Sequence, residues 1–241
     1  MLLKKAVLII HGFAGGTYDE EYLANYLELK GFDVYTFTLP GHDRMLFNKI
    51  TKEDWIESAR IHLEMLINNK YKQIYVIGHS MGGVLATYLA YKYPKYVKKL
   101  VLAAPAFKYC CFDNDKLDIM KSIQKLPQIL NSLPHDEVVE RLIKTPIPTI
   151  IEFTNLVKEN SNLFDKINCP TLIIHGKEDL LVPKDSTELV YNNISSKSVK
   201  LVNISKVNHN CFTGKRKEEV NNIIINYLKH TPKRKKEITD I

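Results

Sequence analysis

Gly78-His79-Ser80-Met81-Gly82 is the stretch of this chain best suited to covalent chemistry. A glycine on each side of Ser80 lets the backbone turn sharply and leaves the hydroxyl exposed, as a nucleophilic serine requires. The apolar run Gln73 to Ile77 leads straight into the pentapeptide, and a helical pattern ending near Tyr93-Pro94 leads out of it. In that context the amide of Met81 stands at a helix N-terminus, where unpaired N–H groups can receive negative charge. A serine hydroxyl is a poor nucleophile at neutral pH and needs an adjacent base. Neutral imidazole suits the task, because its ordinary pKa of about 6.5 lies near working pH. A carboxylate must in turn orient the imidazole and stabilise its charged form. The chain carries eight histidines that could serve. His79 adjoins the serine in sequence, so its ring is expected to point away; His42, His62 and His135 show no partner pattern. Cys211 has no comparable turn around it, which disfavours a thiol nucleophile.

The elements that must position these groups alternate along the chain. Lys5 to Ile10 reads as a buried strand, Asp19 to Lys30 as a helix stopped at Gly31, and Asp33 to Leu39 as a second strand. Thr51, with Asp54 three residues on, reads as the N-cap of a helix reaching about Asn69. Trp55 falls on that helix and reads as packing. Leu100 to Ala104 is the next strand, Pro170 to His175 another, Ser198 to Ile204 the last, and Lys217 to Lys229 the last helix. Nearly continuous apolar strands separated by helices predict an α/β fold, with a mostly parallel central sheet covered by helices on both faces. Between about Phe107 and Asp165 the alternation stops. The spacing there predicts helices through Leu117, Met120 and Ile123, through Val138, Val139, Leu142 and Ile143, and after Pro146 to about Glu159. The expected organisation is a core of residues 1–105 and 167–230, a helical insertion at 106–166, and a basic, solvated tail at 231–241.

With these elements in place the chain resembles the α/β-hydrolase family, over nearly its whole length. The likeness is greatest to small serine carboxylesterases and monoacylglycerol lipases with a helical cap. His11-Gly12-Phe13-Ala14-Gly15-Gly16 after the first strand is similar to the family's oxyanion loop, His175-Gly176-Lys177-Glu178-Asp179 to its acid loop, and His209 lies between the last strand and the last helix. The resemblance implies a triad of Ser80, Asp179 and His209, in the family's chain order. It also implies oxyanion donors at the backbone N–H groups of Phe13 and Met81. Glu178 is the competing acid, and His11 is expected to shape the oxyanion loop. The implied reaction is hydrolysis of uncharged carboxylic esters of short to medium acyl chains, monoacylglycerols among them, through an acyl-serine and without metal or cofactor. A thioesterase, lysophospholipase or amide hydrolase would use the same groups, and a silent binding protein could share the fold. Ile123 and Val139 are expected to line an acyl pocket under the cap. A dehalogenase would need a carboxylate where Ser80 stands.

Composition bounds the rest. A chain of 241 residues with 45% apolar and 25% charged residues suits one large domain, or one domain carrying an insertion, better than two independent domains. The formal charge of +7 is modest for this length and concentrates toward the C-terminus, which disfavours specific nucleic-acid binding. No apolar run approaches the roughly 18 residues of a transmembrane segment, and Ala6 to Ile10 is too short for a signal-peptide core. The four cysteines, at 110, 111, 169 and 211, show no metal-ligand spacing and read as reduced thiols in a cytoplasm.

Overall fold

The computed structural model describes residues 5–43, 50–109, 112–113, 116–117, 145–230 and 233–241. A seven-stranded, all-parallel sheet runs through it. The strands are β1 (Lys5–Ile10), β2 (Asp33–Thr36), β3 (Gln73–His79), β4 (Val97–Ala103), β7 (Thr171–Gly176), β8 (Val199–Ile204) and β9 (Lys236–Asp240), in the order β2-β1-β3-β4-β7-β8-β9. A two-residue antiparallel pair, β5 (Phe112–Asp113) with β6 (Lys116–Leu117), stands apart. The helices are α1 (Glu21–Leu29), α2 (Lys52–Asn68), α3 (Met81–Lys92), α4 (Ile147–Asn160), α5 (Lys184–Asn193) and α6 (Lys217–Lys229).

The two-residue period of the strands divides the core into two layers. Leu8, Ile10, Val76, Leu100 and Leu102 face α2, α3 and α4, where Leu63, Leu85 and Leu156 are fully buried. Their neighbours Val7, Ile9, Ile77, Val101 and Ile174 face α1 and α6, against Leu23, Leu27, Ile224 and Leu228. Both faces of each central strand are thus buried, which is why those strands read as unbroken apolar runs. Thr51 caps α2 reciprocally with Asp54, as the spacing predicts. After β1 the chain moves to one side to make β2 and then crosses to β3 on the other. The carboxyl ends of β1 and β3 therefore flank a topological switch point, the usual place for a site in such a sheet.

Two expectations need correction, and one falls on residues the structure does not describe. Lys116–Leu117 is a strand paired to Phe112–Asp113, so Leu117 does not begin a helix; Asn114-Asp115 between them are turn-forming types that compete with helix. Ile123 and Val139 lie outside the described residues. The basic tail is not simply a solvated end: Lys236–Asp240 forms the edge strand β9, parallel to β8, so β8 is not the last strand. Its alternation of exposed and half-buried residues suits an edge, and its charges mask the pattern in the sequence. Further bonds fix it, from Ser205 N–H to the Ile241 carbonyl (2.7 Å) and from Lys236 Nζ to the Ile194 carbonyl (2.9 Å). Each such bond contributes about 0.5–1.5 kcal/mol net. Deleting 233–241 is therefore expected to lower Tm by roughly 5–15 °C in a calorimetric scan. An unchanged Tm would show that β9 adds nothing to the sheet.

Candidate active site

Ser80 follows β3 directly and precedes α3, with φ 53° and ψ −118°. That left-handed backbone is unfavourable for a residue with a Cβ, and strain of this kind collects at functional sites. It is held by bonds from Ser80 N–H to the Ala103 carbonyl (2.9 Å) and from the Gly83 and Ala106 N–H groups to the Ser80 carbonyl (2.9 and 3.1 Å). Gly82 is required by contact: a Cβ there would lie 2.0 Å from the Ile10 carbonyl oxygen. The start of α3 is thereby pressed against the end of β1, which brings the loop after β1 beside the serine. A Cβ on Gly12 would lie 3.0 Å from Ser80 Cβ and 3.6 Å from its Oγ. The loop after β1 thus passes beside Ser80 at Gly12, and Met81 follows the serine as the first residue of α3.

His11 supports that loop. Its Nε2 accepts from Leu39 N–H (2.9 Å), so the ring proton is on Nδ1, which donates to the Gly12 carbonyl (2.8 Å). Burial is the main reason its pKa falls to about 3, so the ring is neutral. The Phe13 ring stacks on Phe153 (centroids 5.1 Å), which stacks on Tyr109 (4.9 Å), while buried Trp55 meets Phe13 edge-on. Trp55 donates from Nε1 to the Pro40 carbonyl (3.0 Å) and is a packing residue. Sequence reading missed Tyr109 and Phe153, whose segments lie far apart in the chain and carry no shared motif.

Asp179 and His209 meet across the loops after β7 and β8. Gly176 lets those loops touch, since a Cβ there would lie 2.3 Å from the Val207 carbonyl oxygen. Glu178 N–H donates to that same carbonyl (2.9 Å), while the Glu178 side chain is exposed. Asp179 Oδ1 accepts from the N–H groups of Leu181 and Val182 (2.9 Å each), and Oδ2 lies 2.8 Å from His209 Nδ1. Burial pushes the Asp179 carboxyl up, but His209 and the two amides outweigh it, and the net shift is downward. Asp179 is therefore a carboxylate that accepts from His209 Nδ1–H, which leaves His209 Nε2 as the nitrogen that can take up a proton when the ring is neutral. Ser80 Oγ makes no hydrogen bond to His209 among the described residues; such contacts commonly tighten only when substrate is bound. Among the described residues no three His, Cys, Asp or Glu side chains cluster as a metal site would require, and no helix is long and apolar enough to cross a membrane.

The arrangement provides a strained serine at the start of a helix and an imidazole oriented by a carboxylate. Residues 3–216 match the family described as serine aminopeptidase, S33. The chain is 28% identical over 216 residues to the thermostable monoacylglycerol lipase of Bacillus sp. (strain H-257), covering 84% of this chain and 82% of that one. It is 25% identical over 196 residues to a carboxylesterase of Bacillus subtilis (strain 168), covering 80% and 79%. Among solved structures, a Paleococcus ferrophilus monoacylglycerol lipase superposes with a TM-score of 0.71 at 18% identity, over 92% of this chain and 93% of that one. A structure described with the metagenome-derived lipolytic enzymes LipS and LipT reaches 0.77 at 22% identity, over 94% of each. These likenesses establish an α/β-hydrolase fold, and the match over residues 3–216 shows that the chain belongs to the serine aminopeptidase S33 family of hydrolases.

Proposed function

We propose that the protein hydrolyses uncharged carboxylic esters of short to medium acyl chains, with monoacylglycerols as the natural class. The observation that carries the reading is the His209–Asp179 pair at the same carboxyl end of the sheet as the strained Ser80. Ser80 Oγ bonds to the acyl carbon as its proton passes to His209 Nε2. The oxyanion is received by the N–H groups of Phe13 and Met81. His209 then gives the proton to the departing alkoxide, and water repeats the sequence on the acyl-serine. Asp179 keeps the His209 proton on Nδ1 and stabilises the imidazolium. This chemistry requires no cofactor.

Residues 106–166 act in this reading as a cap over a core of 1–105 and 167–230, with Ile123 and Val139 lining an acyl pocket. The segment's position after β4 supports this, as does its anchoring to the core: Lys108 N–H donates to Ser186 Oγ (2.9 Å), and Lys52 N–H at the start of α2 donates to Glu152 Oε2 (3.0 Å). The free thiols of Cys169 and Cys211 fit a cytoplasmic location.

Each buried methylene is worth about 0.8 kcal/mol, so kcat/KM for p-nitrophenyl esters is expected to rise roughly three- to fourfold per carbon from acetate toward hexanoate or octanoate. Ile123→Trp or Val139→Trp should shorten the optimum and leave acetate nearly unchanged. A profile flat or falling from acetate would show that the cap forms no acyl pocket. The family description names an aminopeptidase, so the panel includes aminoacyl anilides and thioesters. Faster turnover of an anilide than of every ester would make the protein an amide hydrolase.

A further inference from the structure

His79 and Glu20 form a buried pair that the reaction as written does not use. His79 Nδ1 lies 2.8 Å from Glu20 Oε1, and the two side chains are 6% and 1% exposed. The other ring nitrogen, Nε2, lies 3.0 Å from the backbone carbonyl of His209. A carbonyl oxygen only accepts, so Nε2 carries a proton and donates it. The short Nδ1–Oε1 contact needs a proton as well, on one partner or the other. The bond to His209 therefore survives whichever of the two holds it.

Taking two ionisable groups out of water is costly, and packing alone would favour apolar side chains here. Burial raises the Glu20 carboxyl to about 7, and its Oε2 has no hydrogen-bond partner among the described residues. Phe212 meets His79 edge-on (5.4 Å), the His209 ring lies 5.0 Å from it, and Asp19, His11 and Cys211 complete the titratable surroundings. The pair joins three segments: Glu20 leads into α1 just after the oxyanion loop, His79 precedes Ser80, and His209 stands in the loop after β8. The same His209 carbonyl also accepts from Cys211 N–H (3.0 Å), which shapes the loop locally without tying it to β3.

We propose that Glu20 and His79 are positioning residues for the reaction: His79 holds the main chain of His209 at a set distance from Ser80, and Glu20 holds His79. The inference rests on the reading of His209 as the base. His79 thus provides a tether between the nucleophile's turn and the base's loop, whose side chains share no direct hydrogen bond.

The test compares His79→Asn with His79→Gln. The asparagine amide stands where Nδ1 does, so it can meet Glu20 but falls short of the His209 carbonyl. The glutamine amide reaches about as far as Nε2. The two differ mainly in reach, and a folding defect common to both cancels in the comparison. Active sites are counted by titration with a fluorophosphonate, and kcat per titrated site is measured with p-nitrophenyl butyrate. His79→Asn is expected to lose roughly 10- to 100-fold in kcat per site, the scale of a misplacement of about 1 Å, with KM nearly unchanged. His79→Gln should recover most of that loss. A packing role alone would lower the number of titratable sites and leave kcat per site at the parent value in both variants, which would overturn the inference. His209→Ala separates the two readings. If it remains active, both the base and the positioning role are wrong; if it is inactive while His79→Asn turns over at the parent rate, the positioning role alone is wrong.

Discussion

Ser80→Ala is expected to lower turnover of a p-nitrophenyl ester by roughly 10⁴-fold or more and to abolish labelling by a fluorophosphonate. The size follows from the division of labour at the site. Without Oγ there is no acyl-serine, and only the amides of Phe13 and Met81 and the binding surface remain to favour attack by water. Folding should survive the change. Ser80 Oγ has no hydrogen-bond partner among the described residues, so its removal strands no buried group and the thermal midpoint should stay level or rise. Alanine tolerates the positive φ about as well as serine, so the turn keeps its shape. Mass spectrometry of the labelled parent should place the adduct on Ser80. The competing nucleophile is Cys211, which is 3% exposed and whose thiol burial pushes far above the ordinary range, leaving almost no thiolate at neutral pH. A label on Cys211, or one that persists in Ser80→Ala, would overturn the assignment.

What could be read from the sequence depended on how local the physics was. The turn at Ser80 was legible because strand, glycines, serine and helix are contiguous, so one stretch of chain carries the whole signal. The central strands were legible because burial on both faces leaves them almost purely apolar. Lys184–Asn193 carries few apolar residues and rests on the sheet through Val190, so α5 gave little periodicity to detect. Lys236–Asp240 pairs on one side only and keeps its charges in solvent, which makes an edge strand resemble a solvated tail. Asp179 and His209 were reached through resemblance, since the contact of the loops after β7 and β8 is set by Gly176 and cannot be seen from spacing. The Glu20–His79 pair lay beyond reach altogether: 59 residues separate its members, and neither stands in a pattern that names the other.

Asp179→Asn should cripple the enzyme by moving a proton and should leave the fold intact. In the parent, Oδ1 accepts from the N–H groups of Leu181 and Val182 while Oδ2 faces His209 Nδ1. The asparagine oxygen inherits the two amide bonds, because only an acceptor satisfies them. Its NH2 group must then point at Nδ1 and donate to it. The imidazole proton is driven to Nε2, the nitrogen that has to accept from Ser80, and kcat is expected to fall by about 10⁴. His209→Ala should cost about as much as Ser80→Ala, since these groups act as one unit, and the combined variant should be little worse than either alone. Glu178→Gln serves as the contrast: the side chain is exposed, and its replacement should alter kcat less than about twofold, as surface changes away from a site do. A crippled Glu178→Gln beside an active Asp179→Asn would transfer the orienting role to Glu178 and require the acid loop to rearrange on binding substrate.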